Sequence, residues 1–356
     1  MRSCSVFALA VVLAACSGPS ELPDAGTDAW ADADAGADAG AAPDAWRDTT
    51  TALCRTDSRV GLPADDGVHP RVPVEWWYWT GHVHDAAGRW FGYQATFFAF
   101  GFGGMLMNVA LTDLDGAAFH RDGQFAFATP TVLPSAFSFS LGSASATGGG
   151  GSDHLVASFD GVAFDLRPSS TATPLLQHGD GYEDYPFGGS TYYYSRPRMD
   201  TTGTVTVGGT TFDVTGATWF DHQWGDLSSI TGLGWDWFAI QLDDGRDLML
   251  LTVHGGAGYA SGTITDGTCA GTRELTAAQI SITPRGSWTS PTTGCVYPMG
   301  WDVIADGIHL GVAQVIDPQE HPDPMNVARS YWEGASTVTG DATGRAYVEL
   351  TGYCGP

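Results

Sequence analysis

The sequence predicts an all-β protein built from two tandem antiparallel β-barrels, which follow an export signal and an acidic tether. Two observations carry this prediction. Short runs rich in Thr, Val, Trp, Tyr and Phe alternate with Gly, Asp and Asn turns at hairpin spacing, while helix signals are scarce. The folded part also repeats itself once along the chain, which indicates two copies of one β unit.

The N-terminus predicts an exported lipoprotein. Residues 1–16 contain one charged residue, Arg2, and an apolar run over residues 6–15. That run is shorter than the roughly 20 apolar residues needed to span a bilayer, so it is typical of a signal peptide. The residues before Cys16 resemble the lipobox of bacterial lipoproteins, which predicts that Cys16 carries lipid. We therefore expect a protein of the cell envelope that contacts the membrane through its N-terminal lipid anchor only.

Residues 17–65 predict a disordered tether, because they are rich in Asp and Ala and poor in large apolar side chains. The whole chain is acidic: its net charge is −25, lysine is absent and all 15 basic residues are arginine. A nucleic-acid partner is not expected, since no basic patch would neutralise phosphates. Lysine Schiff-base chemistry is excluded. Serine-hydrolase and nucleotide-binding motifs are missing from the sequence, and no cofactor is predicted.

Four cysteines predict two disulfide bonds, once Cys4 leaves with the signal peptide and Cys16 carries lipid. The four are Cys54, Cys269, Cys295 and Cys354. An even number in an exported chain is typical of disulfides, and the spacing matches no zinc motif. Three pairings are possible. We favour Cys269 with Cys295 inside the second half, and Cys54 with Cys354 tying the two ends.

An internal repeat divides the folded part into two domains, residues 66–217 and 218–356. Each half opens with an aromatic strand, Trp77-Tyr78-Trp79 or Trp235-Asp236-Trp237, followed by an Asp/Gly turn and an apolar strand. Each half closes with a hairpin that ends in the same residue pattern, at residues 212–216 and 348–352. A tandem duplication of one barrel explains both matches. It places Asp221-His222-Gln223-Trp224 in the crossover between the barrels.

The segment Glu75-Trp76-Trp77-Tyr78-Trp79-Thr80-Gly81-His82 resembles the opening signature of the AttH-like secreted proteins, a family that includes hydroxyneurosporene synthase, the acyclic carotenoid 1,2-hydratase. Later motifs fall in the family's order: Asp221-His222-Gln223-Trp224-Gly225, Gly234-Trp235-Asp236-Trp237-Phe238, Tyr297-Pro298 and Tyr331-Trp332-Glu333-Gly334. The resemblance covers roughly residues 67–353. It implies two lipocalin-like barrels with a pocket for an apolar ligand, such as an isoprenoid or a lipid, near their junction.

Hydration of an isolated double bond needs an acid that protonates carbon, an aromatic wall for the cation and a base that orients water. The second motif offers Asp221 as acid, His222 as base and Trp224 as wall. His222 and Trp224 match positions that the carotenoid hydratases are thought to use. On a strand these two share one face, and Asp221 points the other way. The structural alternative is that Asp221 and His222 hydrogen-bond each other and Trp224 belongs to the core.

The chain departs from the hydratases at one place. They resemble one another in a Tyr-x-Asp pair 27 to 29 residues beyond the histidine, where this chain has Met249 and Leu251. If that carboxylate donates the proton, it is missing here. Asp236 and Glu75 are the candidate substitutes, from neighbouring strands.

The aromatic motifs also supply the predicted ligand-binding residues. These are Glu75, Trp77, Tyr78, Trp79, Trp235 and Trp237. Strand alternation places Glu75, Trp77 and Trp79 on one face and Tyr78 on the other. A buried Glu75 needs a partner, for which Arg71 is the candidate. The pair His82 and His84 lacks a third ligand nearby, so no metal site is predicted.

Two functional hypotheses of different class follow. The first is a cofactor-independent enzyme that hydrates a carbon–carbon double bond in an apolar ligand. The second is a lipocalin-type carrier of such a ligand without catalysis. The missing carboxylate favours the carrier, and the family resemblance favours the enzyme. A purely structural envelope protein would leave the aromatic and His/Asp motifs without a role.

Overall fold

The structure is a computed structural model that describes residues 53–227, 233–255, 258–323 and 326–354. The predicted signal peptide, Cys16 and the tether up to residue 52 lie outside the described residues. Within the described ranges, no helix is long and apolar enough to cross a membrane.

The described chain folds into two nearly closed antiparallel β-barrels, as the sequence predicts. The strands of the first sheet are β1 Val74–His84, β2 Trp90–Phe100, β3 Gly104–Asp113, β4 Ala118–Ala126, β5 Phe137–Leu141, β6 Ala144–Gly149, β7 Ser152–Phe159, β8 Val162–Ser169, β9 Leu175–Leu176, β10 Tyr182–Asp184, β11 Ser190–Val207 and β12 Thr210–Asp226. Those of the second barrel are β13 Trp235–Leu242, β14 Asp247–Val253, β15 Ala260–Thr265, β16 Arg273–Leu275, β17 Ile280–Pro284, β20 Trp301–Ala305, β21 Ile308–Gln314, β22 Glu320–His321, β23 Tyr331–Gly340 and β24 Gly344–Leu350, with a separate pair β18 Trp288–Thr289 and β19 Val296–Tyr297. Among the described residues, short 3₁₀ turns span Ala64–Asp66, Ala277–Gln279 and Val327–Arg329.

In the described chain the two barrels share the strand order around their opening strands, which is what the internal repeat predicts. The opening strand of each copy lies between its second strand and its last: β1 between β2 and β12, and β13 between β14 and β24. The next two strands, β3 and β4 or β15 and β16, extend the sheet on one side. The remaining long strands continue from β11 or β23 on the other side. Each copy is therefore a meander whose last strand returns beside its first.

The predicted end of the first copy near residue 217 is wrong. Strand β12 runs through it to Asp226, and its second half pairs with both β1 and β11. Asp221-His222-Gln223-Trp224 is therefore part of the first barrel and not a crossover. The two closing patterns, residues 212–216 and 348–352, are also not structurally equivalent. His84 and Leu242 end the equivalent strands β1 and β13, and they lie opposite Thr215 and Gly344 respectively. β12 is longer than β24, and its first residues extend beyond β1 to pair with β11 alone.

Each barrel has its own aromatic core, and a third cluster fills the junction. Trp77, Trp79 and Phe220 are buried in the first barrel, and Phe238 and Trp332 in the second. The outward residues of the facing strands form the junction cluster, which includes Tyr78, Tyr193, Trp219, Trp237, Met249 and Tyr347. Strands such as β13 are apolar on both faces because one face fills a barrel and the other packs on its neighbour.

The barrels approach closely where β2 meets β23. A Cβ added at Gly92 would lie 2.7 Å from the Cβ of Ala335, which is closer than side-chain atoms approach. Gly92 therefore permits contact between the two sheets that a larger residue would prevent.

The last part of the predicted tether, residues 53–65, is packed against the first barrel. Val60 is buried in its core, and Asp66 follows directly with a buried side chain. The carboxylate of Asp66 accepts hydrogen bonds from Tyr194 and Arg196. Composition alone suggested disorder, but one buried valine and one buried ion pair hold this segment in place.

The predicted disulfide pairing is wrong. Cys54 bonds to Cys269, and Cys295 bonds to Cys354. The first bond ties the N-terminal segment to the turn between β15 and β16, and the second ties the chain after β24 to the loop before β19. Four cysteines allow three pairings, and sequence spacing does not distinguish them.

Candidate functional site

Strand β12 divides the predicted catalytic residues between two sites. His222 and Trp224 point into the first barrel, whereas Asp221 points into the junction. This is the alternation that the sequence predicts for a strand. The structural alternative is right about Trp224, which belongs to the core of the first barrel. It is wrong about a hydrogen bond between Asp221 and His222, because the two side chains lie on opposite faces. The site inside the first barrel, around His222 and Trp224, is called the barrel cluster. Asp221 contacts the junction cluster defined above, and that name is kept for the second site.

The barrel cluster is centred on Glu75, which is buried with both imidazoles around it. His222 Nε2 donates to Glu75 Oε1 at 2.8 Å, and His69 Nδ1 donates to the same oxygen at 2.6 Å. The backbone N–H of His69 donates to Oε2 at 2.9 Å. His69 stacks on Trp224 with ring centres 4.0 Å apart, and His222 stacks on Trp77 at 4.5 Å. The predicted partner, Arg71, is wrong: Glu75 is paired with two histidines.

The protonation states in this cluster follow from burial and charge. Burial lowers the pKa of His69, but hydrogen bonds and charges from Asp65 and Glu75 outweigh it and raise the pKa to about 9. Burial likewise opposes ionisation of Glu75, yet the two histidines outweigh it and lower the pKa of Glu75. Burial lowers the pKa of His222, and it outweighs Glu75, whose hydrogen bond and charge raise that pKa. At neutral pH the cluster is a His69 cation, a Glu75 anion and a neutral His222.

Three candidate metal-ligand atoms lie within 4.8 Å of one another in this cluster, from His69, Glu75 and His222. Two imidazoles and one carboxylate are donors that suit zinc or iron. The sequence predicts no metal site and does not reveal this grouping, because His69 lies on a loop outside the strand motifs. A protonated His69 competes with metal at neutral pH, since only the neutral imidazole coordinates. His222 Nδ1 is buried and has no hydrogen-bond partner among the described residues.

In the junction cluster, Asp221 is held by three donors. Tyr193 donates to Oδ2 at 2.7 Å, while Ser195 and the Trp219 indole donate to Oδ1 at 2.5 and 2.7 Å. Burial raises the pKa of Asp221 to about 7, although all three donors act to lower it. Trp237 in turn donates its indole N–H to the Tyr193 hydroxyl at 3.2 Å. Asp221 thus fixes a tyrosine and, through it, a tryptophan of the second barrel.

A pair of glutamates faces this group from the second barrel. Glu333 and Glu349 lie directly opposite each other on β23 and β24, and Tyr78 of the first barrel donates to Glu333. Burial and the neighbouring Glu349 raise the pKa of Glu333 well above its usual value. Burial also raises the pKa of Glu349, to about 7. Two carboxyls this close do not both ionise readily, so the pair retains a proton at neutral pH.

Both glutamates lie inside the sequence motifs, but neither is among the predicted site residues. In the sequence, each glutamate is flanked by apolar or small residues in one of the two closing strands, which indicates a buried carboxyl. It does not indicate that the two carboxyls are neighbours, because that depends on the register in which β23 pairs with β24.

The junction face of the first barrel also buries polar atoms that lack partners. Thr80 Oγ1, His82 Nε2 and Gln94 Oε1 are buried without a hydrogen bond to any described residue. Burial and the charge of Arg345 lower the pKa of His82 to about 3, so its ring is neutral. Unpaired buried polar groups are costly, and they are typical of sites that hold water or a polar ligand atom.

The remaining predicted residues are distributed around the two clusters. Trp77 and Trp79 lie in the first-barrel core, where Trp79 donates to Asp153 at 2.9 Å. Trp235, Met249 and Leu251 pack in the junction cluster. Asp236 is not brought into either cluster: it points to the other face of β13 and pairs with Tyr353 and His254, at 2.9 and 3.0 Å. Asp236 is therefore out of reach as the substitute acid.

A cavity of about 220 Å³ lies beside the Cys54–Cys269 bond, between the N-terminal segment and the second barrel. Its lining includes Leu176, Thr263 and Glu274. None of the predicted catalytic or ligand-binding residues lines it.

Comparison with known proteins agrees with this architecture. A crystal structure described as AttH from Nitrosomonas europaea superposes with a TM-score of 0.75 at 27% identity, covering 85% of this chain and 99% of that chain. Kievitone hydratase from Nectria haematococca gives 0.71 at 19% identity, covering 82% and 92%. CghA gives 0.51 at 14%, covering 86% and 98%. The last two likenesses show the fold alone.

A search of curated protein sequences gives no match. The family comparison does: residues 54–353 match the AttH-like family, which is nearly the whole of the described chain. The two-barrel fold, the opening aromatic signature on β1 and the second motif on β12 agree with that match. The chain belongs to the AttH-like family.

Proposed function

We propose that the protein binds an apolar small molecule between its two barrels and adds water across a carbon–carbon double bond of that molecule. The observation that carries the proposal is the Glu333–Glu349 pair, two carboxyls that hold a proton at neutral pH within an aromatic junction. A neutral carboxylic acid in an apolar site is the group that general-acid chemistry at pH 7 requires.

Glu349 is the proposed proton donor. It is the less deeply buried of the two, and Trp237 lies opposite it on β13. Its proton adds to one alkene carbon, and the electron-rich faces of Trp237 and Trp219 stabilise the cation on the other. Water bonds to that carbon and returns a proton to the Glu349 carboxylate. One water is consumed, and the enzyme is regenerated.

Glu333 and Asp221 are the proposed positioning residues. Glu333 stays neutral beside Glu349, because burial and the charge of Glu349 raise its pKa well above its usual value, and the Tyr78 hydroxyl holds it in place. Asp221 has both oxygens occupied by donors, so its proposed role is to orient Tyr193 and Trp219. The buried polar atoms of Thr80 and Gln94 offer hydrogen bonds for the attacking water.

The test is hydration of acyclic isoprenoids that carry a terminal trisubstituted double bond, followed by mass spectrometry for the water adduct. We expect Glu349→Gln to lower the rate at least about 100-fold, since it removes the acid. The wild-type rate should be constant below pH 7 and fall above it, because the active form is protonated and the pKa is about 7. The matched control is Glu274→Gln, a surface glutamate on β16. Full activity of Glu349→Gln would contradict the assignment.

The second candidate is a carrier that binds the same ligand without converting it. The observation in its favour is that the junction has Met249 and Leu251 where hydratases resemble one another in a Tyr-x-Asp pair. A ligand that co-purifies unchanged, with wild-type protein that forms no water adduct, would replace the hydratase proposal with this one.

A further inference from the structure

One end of the first barrel carries a group of four phenylalanines, of which two are exposed and Phe100 is buried. Phe100 and Phe102 lie at the β2–β3 turn, and Phe125 and Phe127 lie at the end of β4. Phe102 is 50% exposed and Phe127 is 83% exposed. Their rings are in contact, with centres 5.2 Å apart between Phe125 and Phe127 and 6.5 Å apart between Phe102 and Phe127. These four residues are named here the aromatic tip.

The four residues of the aromatic tip lie in two stretches of sequence that contain no charged residue. Residues 90–112 and 123–152 contain no Asp, Glu, Lys, Arg or His, although the protein has a net charge of −25. Two glycines flank Phe102 in the turn, so the residues next to it have no side chain that could cover its ring. Exposed aromatic rings on uncharged stretches of chain are costly in water and favourable at the boundary between lipid headgroups and acyl chains.

The aromatic tip is continuous with the junction. Phe102 stacks on Phe100 at 5.4 Å, Phe100 on Phe98 at 6.2 Å, and Phe98 contacts Trp76 at 6.1 Å. Trp76 is partly exposed and packs against the junction cluster, two residues before Tyr78 on the same face of β1. A row of aromatic rings therefore leads from the exposed tip to the proposed ligand site.

We propose that the aromatic tip docks on a lipid surface, and that the aromatic row passes an apolar ligand between that surface and the junction. The occupant is a neutral, zwitterionic lipid surface, because the acidic protein is repelled by anionic lipid and the tip offers no charge to a protein partner. The delivery step rests on the proposed function, whereas the docking step does not. This adds a second membrane contact to the predicted lipid anchor.

The test is flotation with phosphatidylcholine vesicles. It uses the chain from Ser17, which omits the predicted signal peptide and Cys16 and retains every described residue. We expect Phe102→Ser and Phe127→Ser each to lower the partition coefficient about tenfold, since each exposed ring buries apolar area in lipid. Val296→Ser, at a 48% exposed valine of the second barrel, is the matched control and should have no effect. Vesicles rich in phosphatidylglycerol should bind more weakly.

A second measurement separates docking from the proposed chemistry. The double variant F102S/F127S should convert detergent-dispersed isoprenoid at the wild-type rate and vesicle-borne isoprenoid at least about tenfold more slowly. Wild-type protein that does not float with phosphatidylcholine would overturn the docking proposal, whatever the hydration assay shows. Equal flotation of wild type and double variant would overturn it too. If no substrate is hydrated, the loss of flotation in the variants still supports docking.

Discussion

At the scale of single residues, the barrel cluster shows how a buried carboxylate is accommodated without arginine. Glu75 accepts hydrogen bonds from two imidazoles and one backbone N–H. One imidazole is protonated and the other neutral, so the buried group as a whole carries little net charge. Burying a paired charge in this way costs far less than burying it alone.

His69 makes the stability of the protein depend on pH. Its pKa is about 9 in the folded protein against an ordinary value of 6.5, so folding favours its protonated form. The stabilisation is complete below pH 6.5 and is lost as pH rises through 9. We expect His69→Gln to lower the free energy of unfolding by about 1–3 kcal/mol at pH 6, and by much less at pH 10. Urea unfolding at the two pH values measures this.

The control for His69 is His154→Gln, a half-exposed histidine of the same barrel that pairs with Asp165. It should change stability little at either pH, because exposed pairs contribute little. Since other groups titrate in both proteins, the comparison rests on the difference between variant and wild type. A His69→Gln deficit that is the same at pH 6 and pH 10 would contradict the assigned pKa.

At the scale of elements, β12 is the strand that connects the two sites. Its pairing with β1 and β11 places His222 beside Glu75 on one face and Asp221 beside Tyr193 on the other. A bulge in β11 between Arg196 and Met199 has a similar effect, because it turns Arg198 outward while Arg196 stays inside with Asp66. Neighbouring residues of one strand thereby serve both the core and the junction.

The disulfides connect elements that are far apart in sequence. Peptide mapping of the unreduced protein should yield Cys54 linked to Cys269 and Cys295 linked to Cys354. Because the second bond closes a loop with a sequence separation of 59, we expect Cys295→Ser/Cys354→Ser to lose about 2–4 kcal/mol of unfolding free energy. A peptide that links Cys269 to Cys295 would contradict the structure and restore the pairing favoured from the sequence.

At the scale of the whole molecule, the two barrels are joined by polar contacts as well as by the junction cluster. Arg198 of the first barrel donates to Asp247 of the second at 2.6 Å and to the Leu242 carbonyl at 2.9 Å. Gln241 donates to the Pro197 carbonyl at 2.6 Å. Because Asp247 is buried, loss of its partner leaves a carboxylate that the interior does not solvate.

A double-variant cycle tests this coupling. Arg198→Ala should lower the free energy of unfolding by about 1–3 kcal/mol, because it leaves Asp247 buried and unpaired. R198A/D247N should lose less than the sum of the two single variants, which marks a direct interaction. Arg246→Ala removes the exposed Arg246–Asp244 pair and should cost below about 1 kcal/mol. Additive losses at Arg198 and Asp247 would show that this contact does not couple the barrels.

Much of the fold was predictable because its signals are local. Turn residues and strand runs indicated the all-β class, and the repeated opening strands indicated two copies. Alternation along β1 placed Glu75, Trp77 and Trp79 on one face, and the structure confirms that face as the interior of the first barrel. The closing strand was misread because a shared residue pattern does not reveal that β12 extends beyond β1.

The sequence by itself determined the class of the fold, its duplication and the residues that share each strand face, since these follow from the chemistry of neighbouring residues. Only the tertiary structure decided that His69 and His222 share Glu75, that Glu333 meets Glu349, and which cysteines pair. Those contacts join strands and loops distant in the chain, so they depend on how each barrel closes and on how the barrels pack. The protonation of the buried acids depends on the same closure, because burial and neighbouring charge set their pKa values.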